Sequence, residues 1–221
     1  MRIERLRNLL FPPKCMICGK ILREDEGICA ACRSGVFLNG ALPRYGRKGE
    51  YDAVIAGLWY EGAVRRAILG LKYHEKQSYA RPLGKIMLYA VREKLKEPFD
   101  LITFVPTNPG TERSRGYNQA QLLAEELSRL SGKPCLAALR KTRATKAMHG
   151  LTPSQRRENV KDAYELCCEK SRIDGMRILL ADDILTTGAT IAACSAVLKK
   201  QGAKAVYGVC AAAAHKYERN L

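Results

Sequence analysis

The chain has 221 residues, of which 47% are apolar, and 38 Lys and Arg against 22 Asp and Glu give it a net charge of +16. This length and apolar fraction predict one packed core with a small additional module, and they exclude a disordered chain. The positive charge favours an anionic partner such as a nucleotide, a sugar phosphate or a nucleic acid.

The first segment predicts a short packing helix rather than a targeting sequence. It mixes charges with apolar residues and lacks the uninterrupted apolar stretch of a signal peptide. Ile3, Leu6, Leu9 and Leu10 fall on one face of a helix, and a membrane-surface helix is the disfavoured alternative. The longest nearly apolar stretch, residues 206–214, is far shorter than the roughly 20 residues that span a membrane. We therefore expect a cytoplasmic protein without membrane insertion.

Two CxxC pairs follow, Cys15 with Cys18 and Cys29 with Cys32. A CxxC turn directs both sulfurs to one point, and two such turns supply the four tetrahedral ligands that Zn²⁺ prefers. Disulfides or free thiols are the alternatives, but a reducing compartment disfavours disulfides and the doubled spacing disfavours chance. With four protein sulfurs the zinc would be structural rather than catalytic. We expect residues 1–45, including the short helix, to form a zinc-ribbon module.

A polar, turn-rich linker at 39–50 leads into a second domain, predicted at residues 46–221. Strands are predicted at 51–60, 100–106, 134–142, 163–167, 175–181 and 204–214. Helices are predicted at 63–73, 79–96, 118–130 and 190–202, and a polar, basic segment at 143–161. Nearly continuous apolar strands that alternate with helices predict a parallel α/β sheet covered by helices on both faces.

An adjacent acid pair, Asp182 and Asp183, directly follows the predicted strand of apolar residues 178–181. Ligands of parallel sheets bind beyond the carboxyl ends of the strands. The two carboxylates would repel a phosphate, so we expect them to accept hydrogen bonds from the hydroxyls of a ribose. In the alternative, Asp183 caps the next helix and Asp182 is solvated, although a cap requires only one acid.

The turn after the acid pair has the composition of a phosphate cradle. Small residues and a glycine allow successive backbone N–H groups to surround an anion at a helix N-terminus, and hydroxyls add further donors. The predicted phosphate-binding residues are Thr186, Thr187, Gly188, Ala189 and Thr190.

The stretch "ILLADDILTTGAT" (178–190) resembles the phosphoribosyl pyrophosphate (PRPP) motif of type I phosphoribosyltransferases, with Ala181 where a larger branched residue is usual. The segment "FVPTNPGTERSRGYNQAQLLAEEL" (104–127) resembles the "VP…RGxNQaxxLA" segment of the ComF family, the competence-associated phosphoribosyltransferase-like proteins. The resemblance implies that a loop at 106–116 binds pyrophosphate, although Asn108 stands where the family often has histidine. A solvated surface is the alternative for its two arginines. The predicted loop residues are Pro106, Thr107, Arg113, Arg115 and Gly116.

A third segment, 143–164, resembles the family pattern "T..QxxLs..xRxxNv..aF", with Met148 in place of the usual glutamine. In phosphoribosyltransferases this region is a flexible hood that closes over PRPP and excludes water. The resemblance assigns Thr145, Arg156, Arg157 and Asn159 to that hood. A zinc ribbon at the N-terminus is also a ComF feature, so four ordered motifs cover nearly the whole chain.

The resemblance implies a type I phosphoribosyltransferase-like fold that binds PRPP with Mg²⁺. Asp182 and Asp183 would act as catalytic residues that steady positive charge on the ribose during transfer of a phosphoribosyl group to an unknown acceptor. Such a glycosyltransferase would act in natural competence and DNA uptake. In the alternative, the chain is a non-catalytic accessory protein that binds single-stranded DNA and other competence proteins and uses PRPP only as a ligand. The phosphoribosyl half of an amidophosphoribosyltransferase is disfavoured, because the chain has no room for a glutaminase domain.

Overall fold

The computed structural model describes residues 12–22, 27–38, 44–47, 51–73, 76–145 and 152–214. The predicted helix at residues 3–10 and Met148 lie outside these ranges. The helices are α1 Ala30–Leu38, α2 Gly62–Tyr73, α3 Ala80–Lys94, α4 Pro109–Arg115, α5 Gln119–Ser131, α6 Pro153–Val160 and α7 Ala189–Lys200. The strands are β1 Arg44–Arg47, β2 Tyr51–Trp59, β3 Leu101–Phe104, β4 Leu139–Lys141, β5 Tyr164–Leu166, β6 Arg177–Leu185 and β7 Ala205–Ala213.

Five strands form the central sheet in the order β1-β2-β7-β6-β3. The neighbours β2, β7, β6 and β3 run parallel, and β1 adds an antiparallel edge. Every residue of β7 is buried, as expected for a strand covered on both faces. Within the described ranges, no helix is long and apolar enough to cross a membrane. The predicted parallel sheet flanked by helices is confirmed.

Two glycines show that helices cover opposite faces of the sheet. A Cβ on Gly57 of β2 would lie 2.8 Å from Ile86 of α3, and a Cβ on Gly208 of β7 would lie 2.9 Å from Ile191 of α7. The pairing of β2 with β7 places Gly57 level with Ala211, three residues from Gly208. Because successive residues of a strand face opposite sides, α3 and α7 pack on different faces.

Strand β6 is longer than the sequence predicts, and the prediction that it ends at Ala181 is wrong. The neighbour β3 ends level with Ala181, where Phe104 is its last paired residue. On the other side, pairing with β7 continues through Asp182 as far as Leu185. The acid pair therefore lies on an overhang of β6 that is paired on one side only.

Two segments predicted as loops contain helices. In the predicted pyrophosphate loop, the Asn108 side chain accepts a hydrogen bond from the N–H of Gly110 and caps α4, which ends at Gly116 with a φ of 82°. In the predicted hood, Thr152 and Gln155 form a reciprocal capping box that begins α6. Both starts carry a capping side chain followed directly by proline, a pattern typical of a helix N-terminus.

The predicted strands at 134–142 and 163–167 do not join the parallel sheet. Only β4 and β5 form, and they pair with each other antiparallel as a separate two-stranded sheet. Cys135 makes a single parallel bridge with Ile102 of β3, so this segment touches the main sheet edge without extending it.

The cysteine-rich segment packs on the main domain rather than standing apart from it. Cys15, Met16 and Ile28 are all at most 5% exposed and belong to the same core cluster as the sheet residues. A Cβ on Gly27 would lie 2.2 Å from the Cβ of Pro82 in α3. The ribbon and α3 therefore approach each other as closely as a glycine permits.

This close approach predicts that Gly27→Ala destabilises the protein by about 2–4 kcal/mol, from overpacking and a disfavoured positive φ. Gly19→Ala is the matched control, because Gly19 also has a positive φ but nothing lies within 4 Å of its Cβ. Thermal denaturation should show a clearly larger loss for Gly27→Ala. Equal losses for the two variants would contradict the docking of the ribbon on α3.

Candidate functional site

The acid pair occupies the overhang of β6, and its two side chains diverge. Asp183 forms an ion pair with Lys72 at the end of α2, with 2.7 Å between Oδ2 and Nζ. Asp182 interacts electrostatically with Lys141 and with Cys194, which belongs to α7. This divergence follows from the extended backbone, because adjacent residues of a strand face opposite sides.

Burial raises the pKa of Asp182 to about 7, and the neighbouring charge of Asp183 adds to this effect. The N–H of Asp183, which donates to Asp182 Oδ1 at 2.8 Å, opposes the shift, as do the charges of Lys72 and Lys141. Near neutral pH, Asp182 therefore exchanges between its protonated and ionised forms, and a ligand that donates hydrogen bonds to it favours the ionised form.

Lys72 is a site residue that the sequence analysis missed. Burial opposes its charge, but the attraction and hydrogen bond of Asp183 outweigh burial and raise the pKa of Lys72. Lys72 therefore keeps its positive charge at neutral pH. The sequence does show a lysine at the last turn of an amphipathic helix. It does not show that this lysine pairs with Asp183, which lies more than a hundred residues further along the chain.

The raised pKa of Asp182 predicts a pH-dependent gain of stability for Asp182→Asn. The unfolded side chain titrates near 3.8 and the folded one near 7, so the folded state binds more protons between these values and loses stability as the pH rises through them. Removing the carboxylate should raise the melting temperature by a few degrees at pH 8 and by much less at pH 4.

The control for this experiment is Asp162→Asn, because Asp162 is exposed and its φ of 53° is one that asparagine tolerates. Thermal denaturation of the three proteins at both pH values makes the comparison. A melting-temperature difference for Asp182→Asn that does not change with pH would contradict the burial of this charge.

The predicted phosphate cradle forms a tight turn between β6 and α7. Gly188 has a φ of 73° and is the N-cap of α7, so it, and not Asp183, occupies the capping position. Thr187 Oγ1 accepts from the N–H of Ala189 at 3.4 Å. Thr190, on the first turn of α7, forms a side-chain hydrogen bond with Tyr164 of β5. Thr186 lies half-buried in the turn itself.

The start of the predicted pyrophosphate loop lies beside the acid pair. The N–H of Val105 donates to the carbonyl of Ala181 at 3.0 Å, which extends the β3–β6 contact to the residue before Pro106. The buried Asn118 side chain donates to the carbonyl of Val105 at 3.0 Å and also caps α5. These contacts fix both ends of the loop near the overhang of β6.

The two candidate arginines of that loop lie on α4, and Arg115 contacts another described residue. The Arg115 guanidinium lies 5.1 Å from the ring centre of Tyr73, whereas Arg113 is exposed. Thr107, just before α4, is half-buried. The structure thus brings the beginning of the loop to the acid pair. The two arginines lie further along the chain, on α4.

The predicted hood residues are divided between a loop and α6. Thr145 accepts a hydrogen bond from Lys141 at 2.7 Å, and the carbonyl of Asn159 accepts one from Arg143 at 3.3 Å. Arg156 is half-buried and Arg157 exposed on α6, which packs beside α7. The described part of the hood therefore adjoins the helix that begins at the phosphate cradle.

The four cysteine sulfurs of the first segment form a second candidate site. They all lie within 4.8 Å of one another, and those of Cys18 and Cys29 are 3.8 Å apart. Bonds of about 2.3 Å to a tetrahedral zinc place the sulfurs about 3.8 Å apart. The arrangement fits a four-coordinate structural metal site.

Two of these thiols have pKa values that are shifted in opposite directions. Burial opposes ionisation of Cys15, but backbone N–H groups, among them that of Cys29, lower its pKa to about 6. Burial and the neighbouring cysteines raise the pKa of Cys32 to about 12. The charge of the Cys15 thiolate therefore disfavours ionisation of Cys32.

Comparisons with known proteins show the family of the chain and the type of its N-terminal segment. The family model for the double zinc ribbon domain matches residues 6–54. Competence protein F of Haemophilus influenzae is 28% identical over 219 residues, which cover 89% of this chain and 95% of the relative. Competence protein ComFC of Bacillus subtilis is 31% identical over 204 residues, which cover 82% of each chain. The chain belongs to the ComF family. Among solved structures, adenine phosphoribosyltransferase of Saccharomyces cerevisiae is similar, with a TM-score of 0.42 and 16% identity over 86% of this chain and 92% of that one.

Membership of the ComF family confirms the resemblance found in the sequence, and the ribbon match confirms the N-terminal part of the predicted fold class. In this ComF-family protein the ribbon packs on α3, and the acid pair lies at the carboxyl edge of the sheet.

Proposed function

We propose that this ComF-family protein binds PRPP with Mg²⁺ at the carboxyl edge of β6 and transfers its phosphoribosyl group to an acceptor. The observation that carries the proposal is the acid pair on the overhang of β6, followed within five residues by the Gly188 turn that begins α7. A carboxylate pair beside backbone donors suits a ligand that has hydroxyls next to a phosphate. The sugar phosphate end of PRPP has this arrangement.

Each part of the ligand has a matching element. The 5′-phosphate would lie in the turn at 186–190 and accept hydrogen bonds from its backbone N–H groups and threonine hydroxyls. The ribose hydroxyls would donate to Asp182 and Asp183, and the pyrophosphate would lie along the loop at 106–116. The hood residues at 143–161 would then close over the ligand and exclude water.

The acid pair fits a Mg²⁺ ion that arrives with its phosphates. Among the described residues, the only group of three or more potential metal ligands is the cysteine cluster, so the acid pair is not a complete metal cage. Mg²⁺ commonly binds one or two carboxylates together with substrate phosphates. When bound, the ion would neutralise charge that develops on the leaving pyrophosphate.

The proposed reaction needs no nucleophile from the protein. An acceptor nitrogen attacks C1 of the ribose, the bond from C1 to the pyrophosphate oxygen breaks, and pyrophosphate leaves with the electron pair while the acceptor loses a proton. The transition state carries positive charge on the ribose ring, as in glycoside cleavage. Ionised Asp182 and Asp183 would stabilise that charge.

Pyrophosphate release tests the catalytic part of this proposal. The protein is incubated with PRPP, Mg²⁺ and a panel of nucleobases or ammonia, and free pyrophosphate is measured. Acceptor-dependent release is expected. Tight PRPP binding without release of pyrophosphate for any acceptor would contradict phosphoribosyl transfer and favour a non-catalytic function.

A second candidate is a non-catalytic role in natural competence and DNA uptake, with single-stranded DNA and other competence proteins as partners. Two observations favour it: the net charge of +16, and relatives named for competence and DNA utilization. Backbone electrostatics make such binding strongly salt-dependent. Binding of an oligonucleotide that weakens steeply as salt rises is expected, and no binding at low salt would exclude this role.

We further propose that the cysteine cluster holds a structural Zn²⁺ and that residues 1–45 form the ribbon module, with the phosphoribosyltransferase-like domain at 46–221. Support comes from the sulfur geometry and from the ribbon match at residues 6–54. We also propose that the protein is cytoplasmic, because free thiols and PRPP coexist there.

A further inference from the structure

The end of α2 contacts two parts of the candidate PRPP site through three consecutive residues. The carbonyl of Leu71 accepts a hydrogen bond from the Tyr117 hydroxyl at 2.6 Å. Lys72 contacts Asp183 at 2.7 Å, and the ring of Tyr73 lies against Arg115. The end of α2 is therefore attached both to the end of the pyrophosphate loop and to the acid pair.

The contact of Lys72 is the one with electrostatic consequences for a ligand. Asp183 is 9% exposed, so water screens its charge poorly. An uncompensated carboxylate pair beside a phosphate cradle would repel an anionic sugar pyrophosphate. With Lys72 in contact, one of the two negative charges is already neutralised before any ligand or metal arrives.

The ion pair also fixes the geometry of Asp183. The lysine side chain occupies the Oδ2 atom and holds the carboxylate on its own side of the overhang. Tyr117 is 7% exposed, and its bond to Leu71 keeps the backbone that carries Lys72 in place. Lys72 therefore approaches the carboxylate from a fixed helix end rather than from a mobile loop.

We propose that Lys72 is a positioning residue of the PRPP site, which supplies the counter-charge of Asp183 and so lowers the dependence of ligand binding on a divalent cation. The inference rests on the proposed function, because it specifies how that site accepts an anionic sugar. Its consequence is that loss of Lys72 converts the acid pair into a cation site and makes ligand binding depend more steeply on Mg²⁺.

The first test measures the dissociation constant of PRPP at a series of Mg²⁺ concentrations for wild type, Lys72→Met and Lys72→Arg. Lys72→Met should weaken binding about a hundredfold at the lowest Mg²⁺ but only a few-fold at saturating Mg²⁺, since Asp183 is left without its partner charge. Lys72→Arg should stay within about threefold of wild type, because it keeps the charge.

A matched control separates this role from general stabilisation. Lys199→Met breaks the ion pair of Lys199 with Asp52, 3.0 Å long and remote from the acid pair, and should leave the Mg²⁺ dependence of PRPP binding unchanged. If Lys72→Met weakens PRPP binding by the same factor at low and at saturating Mg²⁺, the role of Lys72 is purely structural and the proposal is overturned.

The second test does not require PRPP and therefore distinguishes failure of this inference from failure of the proposed function. Binding of Mn²⁺ alone is followed by water proton relaxation. Lys72→Met should bind Mn²⁺ at least tenfold more tightly than wild type, and adding Asp183→Asn should abolish the gain. If wild type binds no PRPP at any Mg²⁺ concentration, the proposed function fails while this test still decides on Lys72. Unchanged Mn²⁺ affinity in Lys72→Met would overturn the proposal.

Discussion

Replacing Cys15 by serine is expected to remove the metal from the ribbon and to unfold the described residues 12–22 and 27–38. Coordination of zinc by four thiolates supplies about 10–16 kcal/mol of folding free energy in small zinc modules, and the ribbon has few core residues of its own. Because Cys15, Met16 and Ile28 are buried within the common core, loss of the ribbon should also lower the melting temperature of the main domain.

Metal content and amide hydrogen exchange measure this effect. Wild type should contain one zinc per chain and protect the amides of the ribbon, whereas Cys15→Ser should show neither. Cys167→Ser is the control, since Cys167 is an exposed free cysteine outside the ribbon. A Cys15→Ser protein that keeps its zinc and its protected ribbon amides would contradict the metal assignment.

Replacing both acids, as Asp182→Asn with Asp183→Asn, is expected to reduce PRPP affinity at least a hundredfold. Asparagine keeps the shape of each side chain but removes the charge that attracts Mg²⁺ and accepts the ribose hydroxyls. Asp183→Asn also leaves Lys72 with an unbalanced charge, so this variant alone should be destabilised, in contrast to Asp182→Asn.

Ligand-induced stabilisation measures the loss for the double variant. At a hundred times the dissociation constant, a ligand raises stability by about 2.7 kcal/mol, roughly 5–10 °C for a chain of this size. PRPP with Mg²⁺ should raise the melting temperature of the wild type by this amount and that of the double variant hardly at all. Asp100→Asn is the control, because it breaks the Asp100–Arg177 pair at the opposite end of β3 and β6. A double variant that shifts like wild type would contradict the assignment of the acid pair.

The central elements of the fold could be predicted because their apolar patterns are long and strongly periodic. Strand β2 and helices α3 and α5 have bounds within about two residues of those predicted. The shorter segments at 134–142 and 163–167 have compositions typical of strands, but nothing local specifies which sheet a strand joins. They pair with each other across the segment 142–163 that lies between them in the chain.

The candidate site could be located from the sequence, but its arrangement could not. The order of apolar run, acids and glycine turn placed Asp182 at the carboxyl edge of the sheet. Strand β6 continues beyond the end of β3 because it pairs with the longer strand β7. The extended backbone of this overhang directs the two acids to opposite sides. The contact of Lys72 with Asp183 depends on tertiary packing between segments distant in the chain.

Two helices could have been predicted from signals present in the chain. Asn108 before Pro109 and Thr152 before Pro153 both mark helix starts. The resemblance of these segments to a loop and a hood does not include these capping signals. The consequence is that the arginines of both segments lie on short helices, which restricts the directions from which they can approach a ligand.

Calorimetric titration of PRPP with Mg²⁺ into the zinc-loaded protein tests the central claim most directly. The account predicts saturable binding of one PRPP per chain, with heat that disappears when Asp182 and Asp183 are both replaced by asparagine. Wild type that gives no saturable heat, or a double variant that binds at full strength, would contradict the claim that the overhang of β6 and the turn before α7 form a PRPP site.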